Sequence, residues 1–217
     1  EVAEHIRQVA DVEVEVLPAD LSQAEGTLRV CERLIDDERP VGLLVNNAGF
    51  GLGQDFVGGD IERELNALNV MVRAVLMTCH AAIPGMVARG GGGILNIASM
   101  AALTAQGTYS AHKAWVRTFT EGLAASLKGT GVNATVVCPG LVHTEFHEKV
   151  DVDPGQWPES AFIPAERVAA EAIEGVRRGK VVVTPSRRYR ALAGALKVAP
   201  RSLVRAVAGP ERSGRRG

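Results

Sequence analysis

Several residue types are scarce in this chain of 217 residues. Cysteine occurs three times, aromatic residues make up 4%, and there are only two tyrosines and two tryptophans. The cysteines, Cys31, Cys79 and Cys138, are odd in number, far apart and outside any CxxC pair. That excludes a disulfide scaffold and leaves buried free thiols, which suit a reducing cytoplasm. Uncharged stretches are short. The longest, Gly90 to Ala111, is rich in Gly, Ser, Thr, Asn and Gln, a composition that does not sit in lipid.

Acid is scarce in one region only. From Arg177 to Gly217 there are twelve Lys or Arg and one acid, Glu211. The first 176 residues therefore hold twelve basic and twenty-four acidic groups beneath a net charge of −1. An acidic body carries a basic tail. Hydrophobic residues at 46% and charged residues at 23% are those of a globular chain, which excludes disorder and collagen-like repeats. The length suits one domain over residues 1–217, with no internal repeat and no linker.

What is present alternates between strand and helix periodicity. Glu1 to Ala10 reads as the end of a helix, and Val12 to Leu17 alternates as a strand does. Ser22-Gln23-Ala24-Glu25 has capping-box spacing, with Leu28, Cys31, Leu34 and Ile35 following at helical intervals. Val41 to Val45 is an apolar run suited to a strand buried on both faces. Asp60 caps a long helix carrying Ile61, Leu65, Leu68, Val72, Val75, Leu76 and Cys79, with Pro84 bending its end. Ile94 to Ala98 is a buried strand, Tyr109 to Leu127 a helix and Asn133 to Cys138 a strand. Pro164 to Arg178 is a helix and Lys180 to Thr184 a last strand. Strand–helix–strand repetition with short connections predicts an α/β fold: a doubly wound parallel sheet, Rossmann-like, in three αβα layers.

In a sheet of order 3-2-1-4-5-6 the strand Val12 to Leu17 is the third, because Asn46-Asn47-Ala48-Gly49 ends the next one. Without strands 1 and 2 it has no neighbour and its ladder groups stay unpaired. The N-terminal strands are thus missing from the pattern. The expectation is that on the order of 40 further residues, one βαβ unit, precede it in a longer chain.

Tyr109-Ser110-Ala111-His112-Lys113 places Tyr109 and Lys113 at i and i+4, on one helix face. Ten residues upstream, Ser99 follows a buried strand at the carboxyl edge, where doubly wound sheets bind ligands. Asn46 to Gly49 and Pro139-Gly140 close neighbouring strands at the same edge. Three strand ends and a Tyr/Lys helix converge on one cleft.

These residues resemble the short-chain dehydrogenases/reductases. The resemblance rests on Asp20 after the first strand, Asn46-Asn47-Ala48-Gly49, Asn69 in the long helix, Ser99, Tyr109-x-x-x-Lys113, and Pro139-Gly140 with Thr144. They occur in family order from Leu17 to about Thr184. The resemblance implies an NAD(P)-dependent oxidoreductase that transfers hydride between nicotinamide and a ketone or secondary alcohol. Tyr109 is then the general acid/base and Ser99 orients the substrate oxygen. Lys113 lowers the tyrosine pKa, since an ammonium one turn away favours phenolate over its ordinary value near 10. The resemblance also gives Lys113 the nicotinamide ribose, and Asn69 a proton relay. It gives Thr144 the carboxamide, Asp20 the adenine, and Asn46, Ala48 and Gly49 the adenosine side; Pro139, Gly140 and Val142 complete the cofactor contacts. Simpler roles stand beside these: Asn69 bonding to backbone, Asp20 capping a helix, Asn46 tying strands, and His112 with no role.

Two features depart from the family. The Ser99 to Tyr109 spacing is ten where most of the family shows about thirteen, which implies a shortened loop. No glycine-rich turn for the pyrophosphate precedes Val12, so these residues alone are expected to bind NAD or NADP weakly or not at all.

The segment 142–163, with Phe146, Trp157 and Phe162 among Pro and Gly, reads as a substrate lid with apolar anchors. It points to a carbonyl or alcohol with an apolar body. His143 and His147 belong to this lid, and no metal site is expected. The resemblance adds a homodimer or homotetramer. The basic tail, 186–217, reads as a solvated end or as two short amphipathic helices that pack on the domain or touch an anionic membrane weakly. It lacks a nucleic-acid motif. The competing function is a non-catalytic dinucleotide- or partner-binding protein on the same fold, for which an acid/base set has no purpose.

Overall fold

The structure, a computed structural model, describes residues 2–142 and 158–209. The sheet contains β1 (Leu43–Asn46), β2 (Gly92–Ile97), β3 (Val132–Val137) and β4 (Val182–Val183), all parallel and in that order. Helices α1 (Val2–Val9) and α2 (Ala24–Leu34) precede it. Between β1 and β2 runs a continuous helical rod: α3 (Ile61–Leu68), one π-helical turn (Asn69–Arg73) and α4 (Ala74–Ala88). A 3-10 turn (Met100–Leu103) and α5 (Gly107–Ser126) join β2 to β3, and α6 (Ala165–Arg177) leads into β4. Two helices end the described chain, α7 (Arg187–Val198) and α8 (Arg201–Val207).

Period-2 alternation divides the strand residues between two faces. Leu44, Ile94, Val132 and Ala134 pack against Val75, Cys79, Ala82 and Met86 of α4 and against α5 residues such as Phe119 and Leu123. Leu95, Val137 and Val183 meet Ala172 and Val168 of α6 on the other face. The result is the expected three-layer, Rossmann-like αβα sandwich. The rod 61–88 is long and apolar enough by length and composition to cross a membrane. Here its buried side faces the sheet, the position of a core helix. Asp60 caps it, accepting from Glu62 N at 2.9 Å, and Pro84 lies within α4, which runs on to Ala88.

Of two expectations about the first part of the chain, the first holds and the second changes. Val12 to Leu17 joins no ladder, because no described strand lies beside it. Arginine side chains hold it instead: Arg7 on Val14 O (2.7 Å), Arg29 on Pro18 O (2.9 Å), and Arg33 and Arg39 on the Glu15 carboxylate (2.8 and 3.1 Å). Nor is β1 buried on both faces. It is an edge strand among the described residues; Leu44 is buried while Val45 is 48% exposed, since α6 covers β2 to β4 and stops short of it.

The basic tail is ordered through Gly209. Of the two expected forms, its described part takes the packed one. α7 touches the 3-10 turn, Arg201 donates to Leu103 O and Thr104 O (3.2 and 3.4 Å), and Ala105 N donates to Ala208 O at 3.2 Å. A solvated end therefore does not describe 187–209. Residues 210–217 lie outside the described residues.

Candidate active site

The parallel strands end together, and the loops leaving their carboxyl ends build the cleft. After β2, Ser99 leaves the strand extended and its Oγ accepts from Ala101 N at 3.1 Å, starting the 3-10 turn. Thr104 and Ser110 hydroxyls meet at 2.9 Å, and Ser110 Oγ accepts from Gln106 N at 3.0 Å. One tight turn plus this knot spans the ten-residue interval. It brings the Tyr109 hydroxyl into hydrogen-bonding contact with Ser99, so the short spacing costs nothing in placement. One helical turn later Lys113 is 4% exposed. Its Nζ donates to Ile97 O at 2.9 Å and lies 5.8 Å from the centre of the Tyr109 ring.

The electrostatics depart from the expectation for Lys113. Burial pushes the Tyr109 phenol up to about 12, and the Ser99 bond opposes this only partly. Burial brings the Lys113 ammonium down to about 8. Burial is the largest influence on both groups, so in the protein alone Tyr109 is a firmly protonated phenol.

Other expected residues divide by what they already hold. Asn46 Nδ2 donates to Asn96 Oδ1 (2.9 Å) and Cys79 Sγ (3.4 Å), and Thr78 Oγ1 bonds Asn46 Oδ1 (2.9 Å). Asn96, fully buried, passes the network to Thr120 Oγ1 at 2.9 Å. Asn46 thus ties β1, β2, α4 and α5 together, with both of its amide protons engaged, as in the simpler reading of a residue that joins strands. Asn69 opens the π-turn, and its Nδ2 donates to Ser22 O at 3.0 Å. The simpler reading, a side chain bonded to backbone, is the one observed. Asp20 is exposed; its Oδ1 accepts from Ser22 N at 2.9 Å, which holds its carboxyl below the usual range. It closes the turn before α2 without capping that helix, whose N-cap is Gln23.

Gly49 is small for a steric reason: a Cβ there would come 3.1 Å from Lys113 Nζ. Ala48 beside it is exposed. Pro139 O accepts from Met100 N at 2.8 Å, which binds the loop after β3 to the loop after β2. Val142 bridges to Ile163. Thr144, His143, Phe146, His147 and Trp157 lie outside the described residues, and with them most of the expected lid.

Sequence reasoning missed Asn96, whose signal was an amide within the apolar run Ile94-Leu95-Asn96-Ile97. It also missed the surroundings of His112. That ring is 7% exposed, its Nδ1 has no partner, and Glu64, also buried, has an unpartnered Oε2. Burial lowers the His112 pKa, while the Glu64 carboxylate raises it and Lys113 lowers it. Among the described residues no group of three His, Cys, Asp or Glu is placed to hold a metal ion.

A parallel sheet whose strand ends gather a serine, a tyrosine and a buried lysine defines a class, the oxidoreductases that work with a nicotinamide dinucleotide. The chain belongs to the short-chain dehydrogenase family, which it matches over residues 1–154. It is 32% identical over 171 residues to an uncharacterized oxidoreductase of Staphylococcus saprophyticus, covering 75% of this chain and 73% of that one. Several other curated relatives are longer, and the chain spans between 34% and 61% of their length. Among solved structures, a short-chain dehydrogenase from Sphingobium yanoikuyae in complex with NADPH superposes with a TM-score of 0.79 at 29% identity, over 90% of this chain and 78% of that one. A bulky-bulky ketone specific alcohol dehydrogenase from Comamonas testosteroni does so with a TM-score of 0.75 at 25% identity, over 90% and 76%.

NAD or NADP is the family's cofactor class. The residues present fit its nicotinamide-ribose half. Lys113 uses one of its three N–H protons on Ile97 O, leaving two donors suited to ribose hydroxyls, and Gly49 leaves beside Nζ the space a Cβ would fill.

Proposed function

We propose that the protein reduces ketones that have an apolar body, and in the reverse direction oxidises the corresponding secondary alcohols. The contact between Ser99 and the protonated Tyr109 hydroxyl carries this reading. A phenol held up to about 12 keeps its proton at neutral pH, the form needed to donate to a developing alkoxide. Ser99 Oγ holds the carbonyl oxygen beside that proton. Lys113, positively charged below about pH 8, stabilises the phenolate left behind. Bound dinucleotide supplies the hydride. Ala48, Gly49, Pro139, Gly140, Val142 and Thr144 are proposed to line its seat, and Asp20 to face the adenine. Asn69 acts through the π-turn it opens, since its amide is held by Ser22.

The apolar body is supported by Phe162 and Ile163, which are buried where Ile163 N bonds Leu141 O after β3, and by the bulky ketones named for the Comamonas relative. Exposed Ile61, Leu65 and Leu68 on one stripe of α3 support a homodimer or homotetramer. The free thiols, with Cys79 and Cys138 raised to about 11 by burial, support a cytoplasmic setting. Arginines beside exposed Val198 and Leu203 support at most a weak contact with an anionic membrane. A non-catalytic binder would have no use for a lysine held in the core beside a serine-bonded tyrosine. The deciding experiment follows NADPH and NADH consumption with a panel of bulky ketones. Turnover that needs Tyr109 establishes the reading; a Tyr109→Phe variant as active as the parent removes it.

A further inference from the structure

The chain has two tyrosines, and the second one is not idle. Tyr189 lies in the first turn of α7, within the basic tail. Its phenolic oxygen accepts from Leu141 N at 3.2 Å and donates to Ala161 O at 2.9 Å. Its ring covers Gly140 so closely that a Cβ on that glycine would fall 2.1 Å from the ring. Gly140 is therefore glycine on account of Tyr189. Leu141 is held a second time, through Ile163 N to Leu141 O at 2.9 Å. A single hydroxyl thus joins the loop that follows β3 to the strand-like piece at 161–163, segments about twenty residues apart in sequence.

The same helix pair grips the other side of the cleft. Arg201 holds the carbonyls of Leu103 and Thr104, and Ala208 O receives Ala105 N. These residues belong to the loop between Ser99 and Tyr109. The two gripped loops meet through Met100 N and Pro139 O at 2.8 Å. The catalytic serine loop and the loop after β3 therefore share one external brace.

We propose that α7 and α8 form a clamp that fixes these two loops relative to each other, and that Tyr189 is a positioning residue for ketone reduction. It touches no reacting atom; it acts by holding Gly140 and Leu141, at the strand end beside Ser99. The proposal rests on the reading of Ser99 and Tyr109 as the acid pair. A hydrogen bond at each side of one hydroxyl confers direction as well as strength, and misplacement by about 1 Å in a reacting geometry costs about a hundredfold in rate.

The test is Tyr189→Phe in the full-length protein, which keeps the ring over Gly140 and removes both hydroxyl bonds. The expected result is a fall in kcat of about tenfold, with a ketone KM within about twofold. NADPH affinity, measured by fluorescence titration, should weaken about threefold. The pH profile should keep its shape, because no titrating group of the acid pair is touched. The melting temperature should fall by about 5 °C or less, leaving the variant fully folded at assay temperature. Parent-like kcat and NADPH affinity in Tyr189→Phe would overturn the clamp. So would a loss of activity that only tracks the unfolded fraction. Gly140→Ala is the second variant; its Cβ displaces the Tyr189 ring, and it should reproduce the kcat defect in folded protein. Tyr109→Phe, assayed alongside, separates the two claims. If it stays active the acid reading fails, whereas an inactive Tyr109→Phe beside a parent-like Tyr189→Phe defeats the clamp alone.

Discussion

The two sides of the cleft use polar side chains in opposite ways. On the β1 side, Asn46 and Asn69 look like site residues by position, yet their amides are engaged: Asn46 with Asn96, Cys79 and Thr78, and Asn69 with Ser22. On the β2–α5 side, burial works against the charge on Lys113 and the ionisation of Tyr109. The first side is scaffold, where satisfied amides stabilise the strand ends. The second carries chemistry, where desolvated groups weaken the fold and gain reactivity. A motif position tells which residue is present; only its remaining valence tells which task it performs.

The largest expected effect falls on the chemical side. Tyr109→Phe should lower ketone reduction by about 10²- to 10⁴-fold, the usual contribution of a positioned general acid. Thermal unfolding should barely move, since only one hydroxyl is lost. A comparable loss of activity in Asn46→Ala, without loss of stability, would break the comparison between the sides.

Lys113 tests the claim that the chemical side weakens the fold. Its folded pKa near 8 lies below the ordinary 10.5 of a lysine, so between these values the unfolded chain binds more protons and stability rises with pH. Below about 8 both states are protonated and the full cost of burying the charge is present, on the order of 3 kcal/mol. Lys113→Met should therefore resist urea better than the parent at pH 7, with the advantage vanishing as pH approaches 10.5. Tyr109 adds the opposite trend: its raised folded pKa makes stability fall as pH rises from 10 to about 12. A parent and Lys113→Met that unfold in parallel from about pH 7 to 10 would show that Lys113 carries no such burden.

Asn46→Ala tests the other side with the opposite sign. It takes from buried Asn96 Oδ1 its amide donor and leaves it only a 3.8 Å contact with Cys79 Sγ, and should cost about 1–3 kcal/mol in urea unfolding. Reduction by the folded variant should stay within about threefold.

The legibility of each feature in the sequence depends on how local its cause is. Helical and strand periodicity reflects local packing, so α3 to α6 and β2 to β4 lie within a few residues of their expected positions. The Tyr109/Lys113 pair was legible because i and i+4 share a face in any helix. Val12 to Leu17 has the alternation of a strand but forms no ladder, since a ladder needs a neighbour, and alternation describes only one partner. Lys113's expected effect on Tyr109 was overtaken by burial, a property of the whole fold. Tyr189 sits in a run of basic residues, and nothing in Arg188-Tyr189-Arg190 announces contact with Gly140, 49 residues earlier.

Asn69 gives the smallest and most discriminating effect. Were its amide needed for a proton relay, Asn69→Ala would slow reduction by about tenfold or more. The structure gives that amide to Ser22 O at 3.0 Å, a bond between the π-turn and the turn before α2, and the loss of one such bond costs about 1 kcal/mol. The helix itself keeps its i+5 bond, Ala74 N to Asn69 O, because that bond is made by the backbone. Asn69→Ala should therefore lower stability by about 1 kcal/mol and slow the reaction by less than about threefold, with kcat and KM sharing the change. Asn69→Asp adds the sharper contrast. A carboxylate cannot donate to Ser22 O, so it should lose the same bond as alanine while still offering an acceptor to a relay. Equal rates in the two variants assign Asn69 to the scaffold, and a much faster aspartate variant moves it to the chemical side of the cleft.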